Sequence, residues 1–197
     1  MSLVRYCKCH FQNGESQHWG ILDRKAFAQK GANAHFAPDT PLLPKHLLLE
    51  LNFDWEEERV WGNTTYDLKV NGHDIREIVF DAANLEIEKV VLGRRSLEFE
   101  NTGDRVIISL DKALKYGGTV QVKLFHSVSR PRAGIYFTKP DEAYPDRFKS
   151  VWTQGQDEDS KYYFPCFDQP NFKQTTEVKL HLPKGMFGLS NGRLLKK

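Results

Sequence analysis

Residues 151–170 read VWTQGQDEDSKYYFPCFDQP, and this stretch decides both the fold and the candidate site. The segment VWT at 151–153 favours an extended backbone, because β-branched and aromatic side chains suit the pleated surface of a sheet. Side chains alternate between the two faces of a strand, so a strand that continues would point Gln154 and Gln156 to the same side. Only Gly155 lies between them. The sequence therefore predicts a pair of neutral amides at the end of a strand.

Two adjacent amides have the chemistry to hold the end of a peptide. An amide oxygen accepts a hydrogen bond from an ammonium group, while the amide NH2 donates to a peptide carbonyl. Gly155 has no side chain that would keep a ligand backbone away. Two glutamines near a strand end are also common as ordinary exposed polar residues. Their spacing alone does not separate these two interpretations.

The residues that follow, 162–170, are typical of a rigid turn. Pro165 and Pro170 remove backbone donors and fix φ, while Asp168 is suited to bond to local amides in an Asx-type turn. Cys166 is flanked by aromatic residues and has no activating base nearby in sequence, which favours a packed thiol over a nucleophile. The sequence thus predicts a structural, aromatic-backed turn behind the glutamines.

The stretch resembles the N-terminal domain of the gluzincin (M1 family) zinc aminopeptidases, which carry a T/S-Q-x-E/Q strand end followed by an F-P-C-F-D-x-P turn. Here TQGQ occupies residues 153–156 and FPCFDQP occupies 164–170. Further segments follow in the family's order: VNG at 70–72, FDAANLEI at 80–87, GIY at 134–136 and LSNG at 189–192. The resemblance covers residues 44–194.

This resemblance implies an all-β fold, a saddle-shaped antiparallel β-sandwich of curved sheets. Residues 1–43 are then a lead-in or linker, and residues 44–197 form the β domain. Gln156 is expected to help hold the substrate's α-amino group. Gln154, beside Gly155, is expected to line the pocket for the first side chain. Some relatives have Glu at the position of Gln156, so the site in this chain should depend more on an acidic partner from elsewhere.

The family's zinc-binding motif is missing. None of the seven histidines begins H-E-x-x-H, the helical pattern that binds zinc and supplies a general base. The family's G-x-M-E-N segment is also absent. We therefore expect no catalytic residue and no metal ligand in this chain. It is expected to be an inactive N-terminal part of a longer zinc aminopeptidase, whose downstream catalytic domain holds the zinc and whose substrates are peptide N-termini.

The rest of the chain alternates with the period of a strand from residue 44 onward. Leu47, Leu49 and Leu51 alternate with more polar neighbours, which indicates a strand with one buried face. Most of the strands are separated by Gly, Asn, Asp or Pro, which favours an antiparallel sandwich or curved sheet. The predicted strands lie at residues 47–54, 66–70, 77–80, 85–92, 96–100, 105–110, 119–128, 134–137, 148–153 and 177–182.

Composition excludes several classes of partner. The net charge is +2 with both signs interspersed, so we expect neither a nucleic-acid surface nor a membrane-binding face. The first residues lack the apolar region of a secretory signal, and the three cysteines are sparse, which favours reduced thiols. Both features predict a cytoplasmic protein. Cys7 and Cys9 are spaced too closely for an ordinary zinc knuckle, and residues 23–30 suit a short helix.

Two alternatives to the enzyme remain open. One is a scaffold that kept the β domain for protein contacts and lost catalysis. The other is an unrelated β-sandwich module that binds carbohydrate or protein. A downstream H-E-x-x-H would favour the enzyme over the scaffold, and ligand binding by the isolated domain would favour the module.

Overall fold

The computed structural model describes residues 40–196. Cys7, Cys9 and the helix predicted at residues 23–30 lie outside this range. The described part is built from strands and a single 3₁₀ turn at Ser160–Tyr162. The strands are β1 (Leu42–Asp54), β2 (Arg59–Val70), β3 (Ile75–Asp81), β4 (Glu86–Leu92), β5 (Arg95–Leu97), β6 (Phe99–Asn101), β7 (Arg105–Leu114), β8 (Thr119–Ser129), β9 (Ile135–Thr138), β10 (Ser150–Thr153) and β11 (Thr175–His181).

Three sheets organise these strands. A six-stranded sheet has the order β11-β1-β2-β8-β4-β5, and a three-stranded sheet has the order β3-β7-β6. Strands β9 and β10 form a separate two-stranded hairpin. Neighbouring strands are antiparallel except that β11 runs parallel to β1. The fold is all-β with curved sheets, as the sequence predicts, and β11 is the exception to the antiparallel rule.

One hydrophobic core lies between the larger sheets, and the strand alternation explains it. Leu49 on β1 is buried, as predicted, and Leu68 on β2 is buried with it. Ile78, Phe80 and Ile108 are fully buried from the three-stranded sheet, and all five side chains belong to the same cluster. Burial of such side chains is the main favourable term in folding.

The strand predicted at residues 96–100 is wrong as a single element. Its first half is β5, which pairs with β4 in the large sheet. Its second half is β6, which pairs with β7 in the three-stranded sheet. The chain crosses between the two layers at the exposed Glu98. A period-two pattern shows that a segment is extended, but it does not show which sheet the segment joins.

Within residues 40–196 no helix has the length and apolar character that a membrane crossing would need. The cytoplasmic location stays a prediction.

Candidate functional site

The two glutamines lie at one end of the β9–β10 hairpin. Thr153, the last residue of β10, pairs with Ile135 at the start of β9. The ladder continues one residue further, because the Gln154 amide donates to the Gly134 carbonyl at 2.9 Å. Gln154 and Gln156 are both exposed. The predicted amide pair therefore lies on the surface of the described residues.

The strand ends at Thr153 and does not continue through Gln156, so the condition under which the two glutamines would share a face is not met. The Gly155 carbonyl accepts a hydrogen bond from the Asp159 amide at 3.1 Å, and residues 156–159 form a turn. The acidic residues at 157–159 take part in this solvated turn. We call residues 154–159 the glutamine loop. Its first glutamine extends a strand, whereas its second begins a turn.

Close backbone approaches fix the base of the glutamine loop. Gly134 has φ +80°, a conformation that L side chains rarely adopt. A Cβ added at Gly134 would collide with the Asp159 carbonyl oxygen, and a Cβ at Gly155 would collide with Ser160 Oγ. Glycine at 134 therefore lets β9 and the end of the loop touch.

The turn behind the loop is clamped to the end of β3. Asp81 and Cys166 exchange two backbone hydrogen bonds of 2.8 and 3.0 Å. The Asp168 amide donates to Asp81 Oδ2 at 3.1 Å, and Asp168 Oδ2 accepts from the Lys161 amide at 3.1 Å. The Lys161 carbonyl in turn accepts from the Ala83 amide at 2.9 Å. We call these five residues the clamp. Asp168 bonds to an amide that precedes it by seven residues rather than closing the Asx-type turn that the sequence suggests.

Aromatic rings pack against the turn from the core side. The Phe167 ring lies 4.8 Å from Phe80, 5.6 Å from Tyr66 and 5.2 Å from Phe172, measured between ring centroids. The Tyr66 hydroxyl donates to the Pro165 carbonyl at 3.3 Å. The turn residues predicted to be structural are placed as follows: Pro165, Cys166 and Asp168 are buried, and Pro170 is exposed at the end of the turn.

Burial sets the ionisation of the clamp. It raises the pKa of the Cys166 thiol, and the negative charges of Asp168 and Asp81 raise it further. Cys166 is therefore a protonated, buried thiol, which is a poor nucleophile. Burial also raises the pKa of Asp168. Partial burial alone would lower the pKa of Lys161, but attraction to Glu158 and Asp168 outweighs that effect and raises it. The Lys161 ammonium pairs with Glu158 at 3.4 Å.

The described residues do not offer a metal site. No group of three or more His, Cys, Asp or Glu side chains within 40–196 is placed to hold a metal ion. His126 is the buried histidine of this range, and desolvation lowers its pKa to about 3, so it is neutral. Its Nε2 lies 2.8 Å from Thr64 Oγ1. It serves as a core residue beside a hydroxyl, not as a ligand in a cluster.

Two features of the hairpin escaped the sequence analysis. Glu56, in the β1–β2 turn, pairs with Lys149 at 2.7 Å and with Lys139 at 3.8 Å, which ties the hairpin to the large sheet. On the outer face of the hairpin Trp152 stacks on Tyr136. The alternation along β10 contained a signal for the second feature, since Trp152 is two residues before Gln154. No local sequence pattern predicts the ion pairs of Glu56, because Lys139 and Lys149 are far from it in sequence.

Known proteins match the part of the chain that forms this β domain. The family model for the peptidase M1 N-terminal domain matches residues 43–197. Leucine aminopeptidase 2 of Phaeosphaeria nodorum is 23% identical over 145 residues, covering 71% of this chain and 23% of the relative. Leucine aminopeptidase 2-2 of Meyerozyma guilliermondii is 24% identical over 156 residues, covering 74% and 23%. The chain thus spans about a quarter of the length of the curated relatives it matches.

Solved structures share the fold. Leukotriene A4 hydrolase from Saccharomyces cerevisiae aligns with a TM-score of 0.57 at 19% identity, over 73% of this chain and 24% of that one. An M1 zinc metallopeptidase from Deinococcus radiodurans aligns with a TM-score of 0.60 at 18% identity, over 78% and 37%. At these identities the likeness establishes the all-β architecture and nothing finer.

Proposed function

The chain belongs to the peptidase M1 N-terminal domain family, and from that premise we propose that it is the substrate-anchoring domain of a zinc-dependent aminopeptidase. Such an enzyme removes residues from the N-terminus of peptides. The observation that carries the proposal is the exposure of Gln154 and Gln156 on a loop whose base is held by backbone contacts at Gly134 and Gly155 and which is backed by the clamp. The names of the curated relatives support an aminopeptidase as the parent protein.

In this proposal the glutamine loop sets the register of the substrate. The Gln156 oxygen accepts a hydrogen bond from the peptide's α-ammonium group, and Gln154 lies beside the first side chain. An aminopeptidase must place the free N-terminus one residue from the bond that it cleaves. Holding the ammonium group in a fixed position converts loose binding into a reactive geometry, which lowers the barrier as well as the dissociation constant.

Zinc chemistry would be supplied by another part of the parent protein. The described residues do not fit a metal ion, so no step of the reaction is assigned to a metal in this chain. The partner that completes the site is a catalytic domain of the same polypeptide, consistent with relatives about three times as long. The chain alone is therefore proposed to be inactive.

A non-catalytic scaffold is the second candidate, and the same β domain would serve it. It does not require exposed amides at a rigid loop. The relatives named as aminopeptidases favour the enzyme over this candidate.

Replacing Gln156 by alanine in the full-length protein tests the proposal. A hydrogen bond to a charged group contributes about 1.5–3 kcal/mol, so Gln156→Ala is expected to lower kcat/KM on aminoacyl amides by about 10- to 100-fold. Both kcat and KM should change, because the contact positions as well as binds. Zinc content, measured by elemental analysis, should not change.

Gln121→Ala is the matched control. Gln121 is also an exposed glutamine, but it lies on β8 and bonds to Asp67 at 2.8 Å. Its loss should leave the kinetics as they are. Wild-type kinetics for Gln156→Ala would contradict the assignment of the amine anchor.

A further inference from the structure

The outer face of the β9–β10 hairpin presents a stacked aromatic pair to solvent. The Trp152 and Tyr136 rings lie 4.4 Å apart between centroids, with their planes inclined by 22°. Trp152 is 51% exposed despite its size. Large exposed apolar surfaces on a folded domain often mark binding sites. This pair is therefore a candidate contact for a ligand.

The aromatic pair faces the same side as Gln154. Trp152 is paired with Tyr136 in the ladder, and the bond from the Gln154 amide to Gly134 carries the extended geometry to residue 154. Side chains at i and i+2 of an extended segment share a face and are roughly 7 Å apart. Ile135, the ladder partner of the exposed Thr153, is buried, so the other face of the hairpin is the one that contacts the core. The exposed indole and the first amide thus form one continuous surface.

We propose that Trp152, backed by Tyr136, is the platform on which the side chain of the peptide's first residue packs. The substrate class is then peptides that begin with an aromatic or large aliphatic residue. This inference rests on the proposed function, because Gln156 must hold the α-ammonium group for the first side chain to reach the indole.

The stacking gives the platform its selectivity. Tyr136 holds the indole in place, so a substrate does not have to order a mobile ring when it binds. An aromatic or long aliphatic side chain covers the exposed indole face and removes apolar surface from water. An alanine side chain is too short to cover it. The platform therefore favours large apolar first residues over small ones and leaves the grip on the ammonium group unchanged.

The test compares two substrates in the full-length protein. The ratio of kcat/KM for phenylalanyl and alanyl coumarin amides is measured for the wild type, Trp152→Ala and Trp152→Phe. An aromatic contact contributes about 0.5–1.5 kcal/mol beyond area burial, so Trp152→Ala should lower this ratio by about three- to tenfold. Trp152→Phe should keep most of the preference, because it restores an aromatic face. Trp61→Ala, which removes a partly exposed tryptophan from β2, should leave the ratio unchanged.

The outcomes separate the platform from the anchor. An unchanged ratio in Trp152→Ala, or an equal loss on both substrates, overturns the platform. If Gln156→Ala still lowers kcat/KM in that case, the proposed function stands without it. If the full-length protein cleaves neither amide, both proposals are overturned.

Discussion

The clamp and the glutamine loop are neighbours in sequence but are held in opposite ways. Asp81 and Asp168 in the clamp use backbone and carboxylate groups to bond across the fold, and Cys166 is buried between them. In the loop, Gln154 and Gln156 direct their side chains to solvent, while backbone contacts at Gly134 hold its base. The hydrogen bonds and the buried side chains that stabilise this region are thus concentrated behind the loop. The side chains at its tip remain exposed, as the proposed role in binding requires of a loop on a rigid scaffold.

The largest expected effect is on the free energy of unfolding. It contrasts the buried aromatic rings behind the clamp with the exposed surface of the hairpin. Phe80 is fully buried and lies 5.1 Å from Tyr66 and 4.8 Å from Phe167 between ring centroids. Phe80→Ala removes a large side chain and leaves a cavity, so the free energy of unfolding should fall by about 3–5 kcal/mol. Urea denaturation of the purified chain measures this loss.

Phe148→Ala provides the matched comparison, because Phe148 is 87% exposed next to the hairpin. Its replacement should change the free energy of unfolding by less than about 0.5 kcal/mol. Similar losses in the two variants would show that the hairpin surface is packed as tightly as the core, which would remove the contrast.

The second effect, of intermediate size, concerns the carboxylate of the clamp. Asp168→Ala leaves the partly buried Lys161 amide without its acceptor, and an unsatisfied donor costs up to about 1–3 kcal/mol when it is buried. Asp168→Asn keeps an acceptor oxygen and should lose less at neutral pH. Burial raises the pKa of Asp168, so its folded state binds a proton more tightly than its unfolded state. Its contribution to stability is therefore present below the unfolded pKa and is lost as the pH rises through the folded pKa.

Unfolding of Asp168→Ala and Asp168→Asn at pH 7 measures the difference. Equal losses would mean that the negative charge itself, rather than the acceptor oxygen, holds the turn. The backbone amide of Lys161 bonds to Asp168, while its ammonium group pairs with Glu158. The two Asp168 variants therefore test the bond to the amide and leave the ion pair with Glu158 in place.

The sequence predicted the turn at residues 162–170 far better than it predicted the glutamine loop. Prolines, aromatic residues and a short acidic residue restrict the backbone locally, so residues 162–170 indicate a turn without knowledge of the rest of the chain. Alternation of apolar and polar residues likewise indicates the strands. The sequence could not predict which residues form hydrogen bonds with the turn. Asp81 and Ala83 are about eighty residues away, and only the folded chain brings them to Cys166 and Lys161.

The loop was harder because its shape depends on distant contacts. The sequence left open whether the strand continues to Gln156, and the contact between Gly134 and Asp159 shows that the chain turns there instead. The ion pairs of Glu56 with Lys149 and Lys139 likewise join segments that are far apart. Local patterns therefore gave the identity of the candidate residues but not the geometry in which the chain presents them.

The smallest expected effect concerns the glutamines themselves. The double variant Gln154→Ala with Gln156→Ala removes two exposed side chains, and thermal unfolding should show a change below about 0.5 kcal/mol. Gly134→Ala, at the base of the same loop, should cost about 1–3 kcal/mol, because it strains a residue with φ +80° and collides with the Asp159 carbonyl. A loss above about 1 kcal/mol in the double variant would mean that the glutamines hold the loop together. A kinetic defect of Gln156→Ala would then report a disordered loop, whereas a stable double variant assigns that defect to the missing contact with the substrate.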